Sequence, residues 1–134
     1  DAGEVVEAVD FKTNTVGYES NAGISLQFLR EFMRVYNAKA TLDTAHTFSA
    51  YGNNVEYVTK LHSFLNLLSD EIGAVHLCDS ELYDDGYNLG DGVMDIPRVM
   101  DTIAVSDYSG YVTIEVPPED QAPSIKYLWE HIPK

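Results

Sequence analysis

Positive charge is scarce in this chain. Its 134 residues hold eight lysines and arginines against 22 aspartates and glutamates, a formal net charge of -14. That balance argues against a phosphate-neutralising nucleic-acid surface and against docking on an anionic membrane. Cysteine is nearly absent as well. Cys78 stands alone, so no internal disulfide can form, and a reducing, cytoplasmic compartment is expected. No apolar run approaches the length of a membrane span. The opening, DAGEVVEAVD, has neither the basic region of a secretory leader nor an initiating Met, so the sequence is expected to start inside a longer gene product. Nucleotide signatures are missing too. Gly90-Asp91-Gly92 is too short for a phosphate loop, no Walker or dinucleotide fingerprint occurs, and no serine sits in a nucleophile elbow.

What is present is ordinary in bulk. Hydrophobic residues make up 45% and charged residues 22%, as in a globular domain. The length suffices for one core, so a single domain over 1–134 is expected. The acidic excess suits a neutral small substrate or a divalent cation. Most of the carboxylates need no reading beyond a solvated acidic surface.

Along the chain, β-like runs alternate with helical patterns. Gly3 to Val9 reads as the tail of a helix and Thr15 to Glu19 as a first strand. A helix is predicted from about Ile24 to Tyr36, with Ile24, Phe28, Phe32 and Val35 on its inner face and Asn37 as its stop. Ala40 to Asp43 is the second strand, followed by a loop rich in Gly and Asn. The next helix spans about Val55 to Leu68. Its apolar stripe is Val55, Val58, Leu61 or His62, Leu65 and Leu68, and its cap is Asn53 or Asn54. Ala74 to Cys78 is the third strand, and DSELYDDGYNLGDG a long polar loop. A helix is predicted from near Asp95 to Ser106 with Pro97 in its first turn, then a strand from Tyr111 to Val116 and a last helix from Ser124 to His131. This order implies an α/β fold with a parallel sheet.

Each of the four strands ends on a charged or metal-capable residue: Glu19, Asp43, His76 and Glu115. In a parallel α/β fold the strand C-termini share one face, and ligands bind there. Side chains alternate along a strand, so these four can point inward while Tyr18, Leu42, Val75 and Ile114 pack against helices. Three carboxylates and an imidazole drawn together repel unless a cation neutralises them. The mixed, oxygen-rich set suits Mn²⁺ or Mg²⁺, with Zn²⁺ or Co²⁺ as alternatives. Each residue also has a plainer reading. Glu19 can be a solvated strand-end acid, Asp43 a turn cap, and His76 a hydrogen-bonded core histidine. Glu115, before Val-Pro-Pro, can be an acid paired in the structure. Their joint occurrence at equivalent positions favours the shared site. His46, three residues after Asp43, is expected to contact substrate or to hold a second metal. Asp79, three after His76, is expected just outside the ligand set. Cys78 reads as a buried thiol, and His62 as structural.

TVGYESN, TLDTAHTFSAYG, AVHLCDS, LGDGVMDIPRVM and SGYVTIEV resemble, in that order, the second half of the xylose-isomerase-like TIM barrels. That superfamily includes sugar isomerases, ketose 3-epimerases, inosose dehydratases, hydroxypyruvate isomerases and nucleases of the endonuclease IV type. The resemblance implies four βα units of a (β/α)8 barrel, strands five to eight. It implies Glu19, Asp43, His76 and Glu115 as divalent-metal ligands. In the isomerase and epimerase branch, Glu19 and Glu115 also serve as acid and base on opposite faces of a sugar, acting through a metal-bound enediolate. His46 matches the position that hydrogen-bonds substrate oxygen.

Other branches make other demands. A dehydratase-like lyase uses the same ligands. The nuclease branch needs a further Asp-x-His, and alignment on Gly90-Asp91-Gly92 places Gly86 where its histidine stands. Isomerase or epimerase is therefore the expected activity, on a sugar or polyol and without nucleic acid. A whole barrel takes about 250 residues, so a missing N-terminal half or a second copy is expected to complete the sheet. A half-barrel that only binds a ligand or partner is the non-enzymatic alternative.

Overall fold

A computed structural model of the chain describes residues 26–132. The expected helix tail at Gly3 to Val9, the strand ending at Glu19 and the start of the first helix lie outside the described residues. In chain order the elements are α1 (Leu26–Val35), β1 (Ala40–Asp43), α2 (Thr44–Tyr51), α3 (Asn54–Leu67), β2 (Ile72–Leu77), β3 (Asp79–Glu81), β4 (Asp84–Tyr87), α4 (Ile96–Val105), β5 (Val112–Ile114) and α5 (Pro118–His131).

β1, β2 and β5 form a parallel sheet in that order. Leu42, Val75 and Leu77 are fully buried on it, and Leu61, Phe64 and Leu65 of α3 and Ile96 and Val99 of α4 belong to the same core. The alternation that predicted a parallel α/β sheet is present, and so is its consequence: the three strands deliver their carboxyl ends to one edge of the sheet.

Several expectations need correction. The segment after β1 is not a loop but the two-turn helix α2. Asp43 caps it, accepting from the His46 backbone N–H at 2.9 Å, and Gly52 closes it at φ +68° with its N–H on Phe48 O. Only glycine takes that left-handed conformation cheaply. The polar stretch after Cys78 is likewise structured. β3 and β4 pair as an antiparallel hairpin that turns through Leu82 at positive φ, and Gly86 within β4 is also at positive φ. α5 begins at Pro118, not Ser124. Pro118 occupies its first turn with Glu119 and Asp120, where acids favour the helix dipole, and Pro123 is accommodated inside the helix.

Two helix faces are rotated from their predicted stripes. On α1, Val35 is 77% exposed and Phe32 also faces outward against Tyr36, while Met33 is buried. On α3, Val55 is 65% exposed, and the inner face runs through Tyr57, Leu61, Phe64 and Leu65. Two aromatic rings bury more area than two valines. The Tyr57 ring stands edge-on to Phe48 at 5.4 Å, and its hydroxyl lies 3.3 Å from Thr47 Oγ1. Leu61 rather than His62 is inside, and Asn53 rather than Asn54 is the cap, accepting from Glu56 N at 2.9 Å. Asp95 caps α4 with Pro97 in the first turn, as the sequence predicts.

Candidate metal centre

The sheet register brings three of the four strand-end residues together. Asp43 is the last residue of β1 and pairs with His76 on β2. Leu77 pairs with Ile114 on β5, and Glu115 N then donates to Leu77 O at 2.9 Å. Asp43, His76 and Glu115 each offer one ligand atom, and these atoms all lie within 4.8 Å of one another. His76 Nδ1 is 3.0 Å from Glu115 Oε2. The fourth expected ligand, Glu19, lies outside the described residues.

The three side chains grade from closed to open. Asp43 is 6% exposed, His76 is partly covered and Glu115 is the most open. Burial pushes the Asp43 carboxyl above its ordinary value. The His46 backbone N–H and imidazole oppose that rise, while the charges of Glu115 and Asp85 add to it. Such a carboxylate is short of positive charge. A divalent cation supplies what it lacks, and two carboxylates with one imidazole are a donor set such ions accept. The residues present therefore fit the metal that the strand-end pattern implied.

Around this centre, the His46 ring lies between two acids. Its Nδ1 is 3.3 Å from Asp43 Oδ2, and its Nε2 is 2.5 Å from Asp85 Oδ2. Asp85, on β4, is the residue that sequence reasoning passed over. Nothing local in the sequence links it to His46. Asp79 has a distinct task. It is fully buried, and its carboxylate accepts from the N–H groups of Ser80, Gly90 and Met94 at 2.8, 2.9 and 3.1 Å. It ties down the segment from the hairpin to α4. A Cβ on Gly92 would stand 2.4 Å from Asp79 Oδ1, which is why that position is glycine.

Cys78 is buried at 4% exposure, and burial pushes its thiol up to about 12. His62 faces outward beside Asn66, and His131 stacks on Tyr127. Neither belongs to the strand-end cluster.

Comparison with known proteins bears on the family and the fold. No curated protein matches the chain. A solved structure described as that of a D-tagatose 3-epimerase-like protein matches with a TM-score of 0.55 and 21% identity, over 90% of this chain and 40% of its own. At that identity the likeness speaks for the fold. The chain spans less than half the length of that structure. A model of the xylose isomerase-like TIM barrel family matches residues 5–131. The chain belongs to the xylose isomerase-like TIM barrels.

Proposed function

We propose that this chain carries the metal-holding part of a sugar isomerase or epimerase. The observation that carries the reading is the convergence of Asp43, His76 and Glu115 from three neighbouring strand ends. These three would hold a divalent ion, Mn²⁺ or Mg²⁺ by the hardness of the oxygen donors. Glu19 is proposed as the fourth ligand from its place in the motif order. When bound, the ion supplies Lewis-acid polarisation of a sugar carbonyl and the adjacent hydroxyl.

The chain's own residues do the rest. Glu115, the most open of the three, takes or returns the proton on the carbon beside the carbonyl, and Glu19 is proposed as its acid–base counterpart from the family resemblance alone. His46 donates to a substrate oxygen. Asp43, the most buried, holds charge and position. The net charge of -14 favours a sugar or polyol over nucleic acid. Among the described residues no helix is long and apolar enough to cross a membrane, and the lone, buried Cys78 fits a cytoplasmic setting. The rest of the barrel is proposed to come from preceding βα units or from a second copy. Light scattering separates these: a dimer mass for the isolated chain supports the copy, and a monomer mass excludes it.

The test is incubation of the protein with Mn²⁺ and a panel of ketoses and inososes in heavy water. The proposal expects deuterium at the carbon beside the carbonyl, in an isomerised or epimerised product. A dehydrated product would assign the site to a lyase. Absence of exchange across the panel would make it a binding half-barrel.

A further inference from the structure

His46 is held from two directions. Asp43 grips it from below: its Oδ1 accepts the His46 backbone N–H at 2.9 Å, and its Oδ2 lies 3.3 Å from Nδ1. The second grip comes from a different element. Asp85 reaches from the β3–β4 hairpin, with Oδ2 2.5 Å from Nε2. The hairpin is a fastened arm. At its base Asp79 binds the N–H groups of Gly90 and Met94, and Ser80 O accepts from Val93 N at 2.8 Å. At its tip Leu82 lies against Gly52, the end of α2, 3.7 Å from where a Cβ would stand. The hairpin that carries Asp85 is thus fastened at its base to the segment before α4, and its tip packs against the end of the helix that carries His46.

An ionised carboxylate only accepts hydrogen bonds, so its partner nitrogen must carry the proton. We propose that Asp85 is a positioning residue: its carboxylate, carried on the fastened hairpin, fixes the orientation of the His46 ring beside the strand-end cluster, where that ring meets a substrate. The His46 and Asp85 side chains are 28% and 44% exposed, so the held pair can be reached from solvent. The hairpin, polar and unassigned in the motif pattern, thereby acquires a part in substrate recognition. This inference rests on the reading of the centre as a sugar site, because it takes the partner of His46 to be a substrate oxygen.

The experiment is nitrogen–proton NMR of the His46 ring with saturating Mg²⁺ at fixed neutral pH, on wild type, Asp85→Asn and Asp85→Ala, beside Mn²⁺ calorimetry on the same proteins. Wild type should show a protonated Nε2 with its proton far downfield. Asp85→Asn should keep that proton but move it upfield, and Asp85→Ala should lose it to exchange with water. Mn²⁺ affinity should stay within about tenfold, the lower end of what a residue behind a ligand is worth. A His46 signal unchanged in both variants overturns the proposal. So does a fall in Mn²⁺ affinity beyond that range in Asp85→Asn, which would make Asp85 a ligand. The ring-current shifts of the Phe48–Tyr57 pair report that each variant is folded. If wild type takes up no Mn²⁺, the metal reading fails, while the histidine signal still decides whether Asp85 holds the ring.

Discussion

Asp43 and Asp79 are both buried aspartates at strand ends, and their surroundings differ in kind. Asp79 is satisfied by three backbone N–H groups, whereas Asp43 faces other acids and is held up by burial. Asp79→Asn places an amide donor against groups that are themselves donors. It should cost about 2–4 kcal/mol in urea unfolding, as breaking a buried network does, and wild-type stability in that variant would refute the pinning role. Asp79 was visible in the sequence as an acid near His76. Its partners were not, because two of them lie 11 and 15 residues further on. Cys78 gives a second test. Its thiol is raised from 9.0 to about 12. Below pH 9 it is protonated in both folded and unfolded chains, and its contribution is fully present. Between 9 and about 12 only the unfolded chain ionises, so stability drains as pH rises. At pH 10.5 the loss should be on the order of 2 kcal/mol. Tyr57, also raised by burial, acts in the same direction. Cys78→Ala should remove the thiol's share of that slope, and an equal slope in both proteins would contradict it.

At the scale of elements, the caps decide where helices begin. Asn53 accepts from Glu56 N at the start of α3, and α3 supplies much of the core. Asn53→Ala should cost about 1 kcal/mol, read as a lowered urea midpoint with unchanged slope; no change would mean that packing alone sets that helix end. β1, β2 and α4 were legible from periodicity and turn residues. α2 was not, since TAHTFSAY carries no clear apolar face and its helix is nucleated by the Asp43 cap and the left-handed Gly52. The hairpin was hidden for a related reason. Asp-Ser-Glu and Asp-Asp-Gly-Tyr hold only one of the branched and aromatic residues that mark strands, Tyr87, and they pair because Asp79 and the turn hold them. The rotated faces of α1 and α3 follow from choices that only three-dimensional packing makes, Met33 over Phe32 and Tyr57 over Val55.

For the whole molecule, the order β1-β2-β5 matters most. It turns residues far apart in sequence into a cluster, with Asp43, His76 and Glu115 side by side at one end of a parallel sheet. The acidic surplus of the chain makes a cation at that end the natural complement. The strand-end pattern was readable from sequence, because a parallel sheet sends all carboxyl ends the same way. The link between His46 and Asp85 was not, because it crosses between α2 and the hairpin. The proposed function stands or falls on whether the three strand ends form one divalent-metal site. Calorimetric titration of Mn²⁺ into wild type and Glu115→Gln tests it most directly. Wild type should bind one Mn²⁺ per chain, and the variant should lose at least about tenfold in affinity, as for a charge-bearing ligand replaced by a neutral amide. Equal affinity in the two proteins would contradict it.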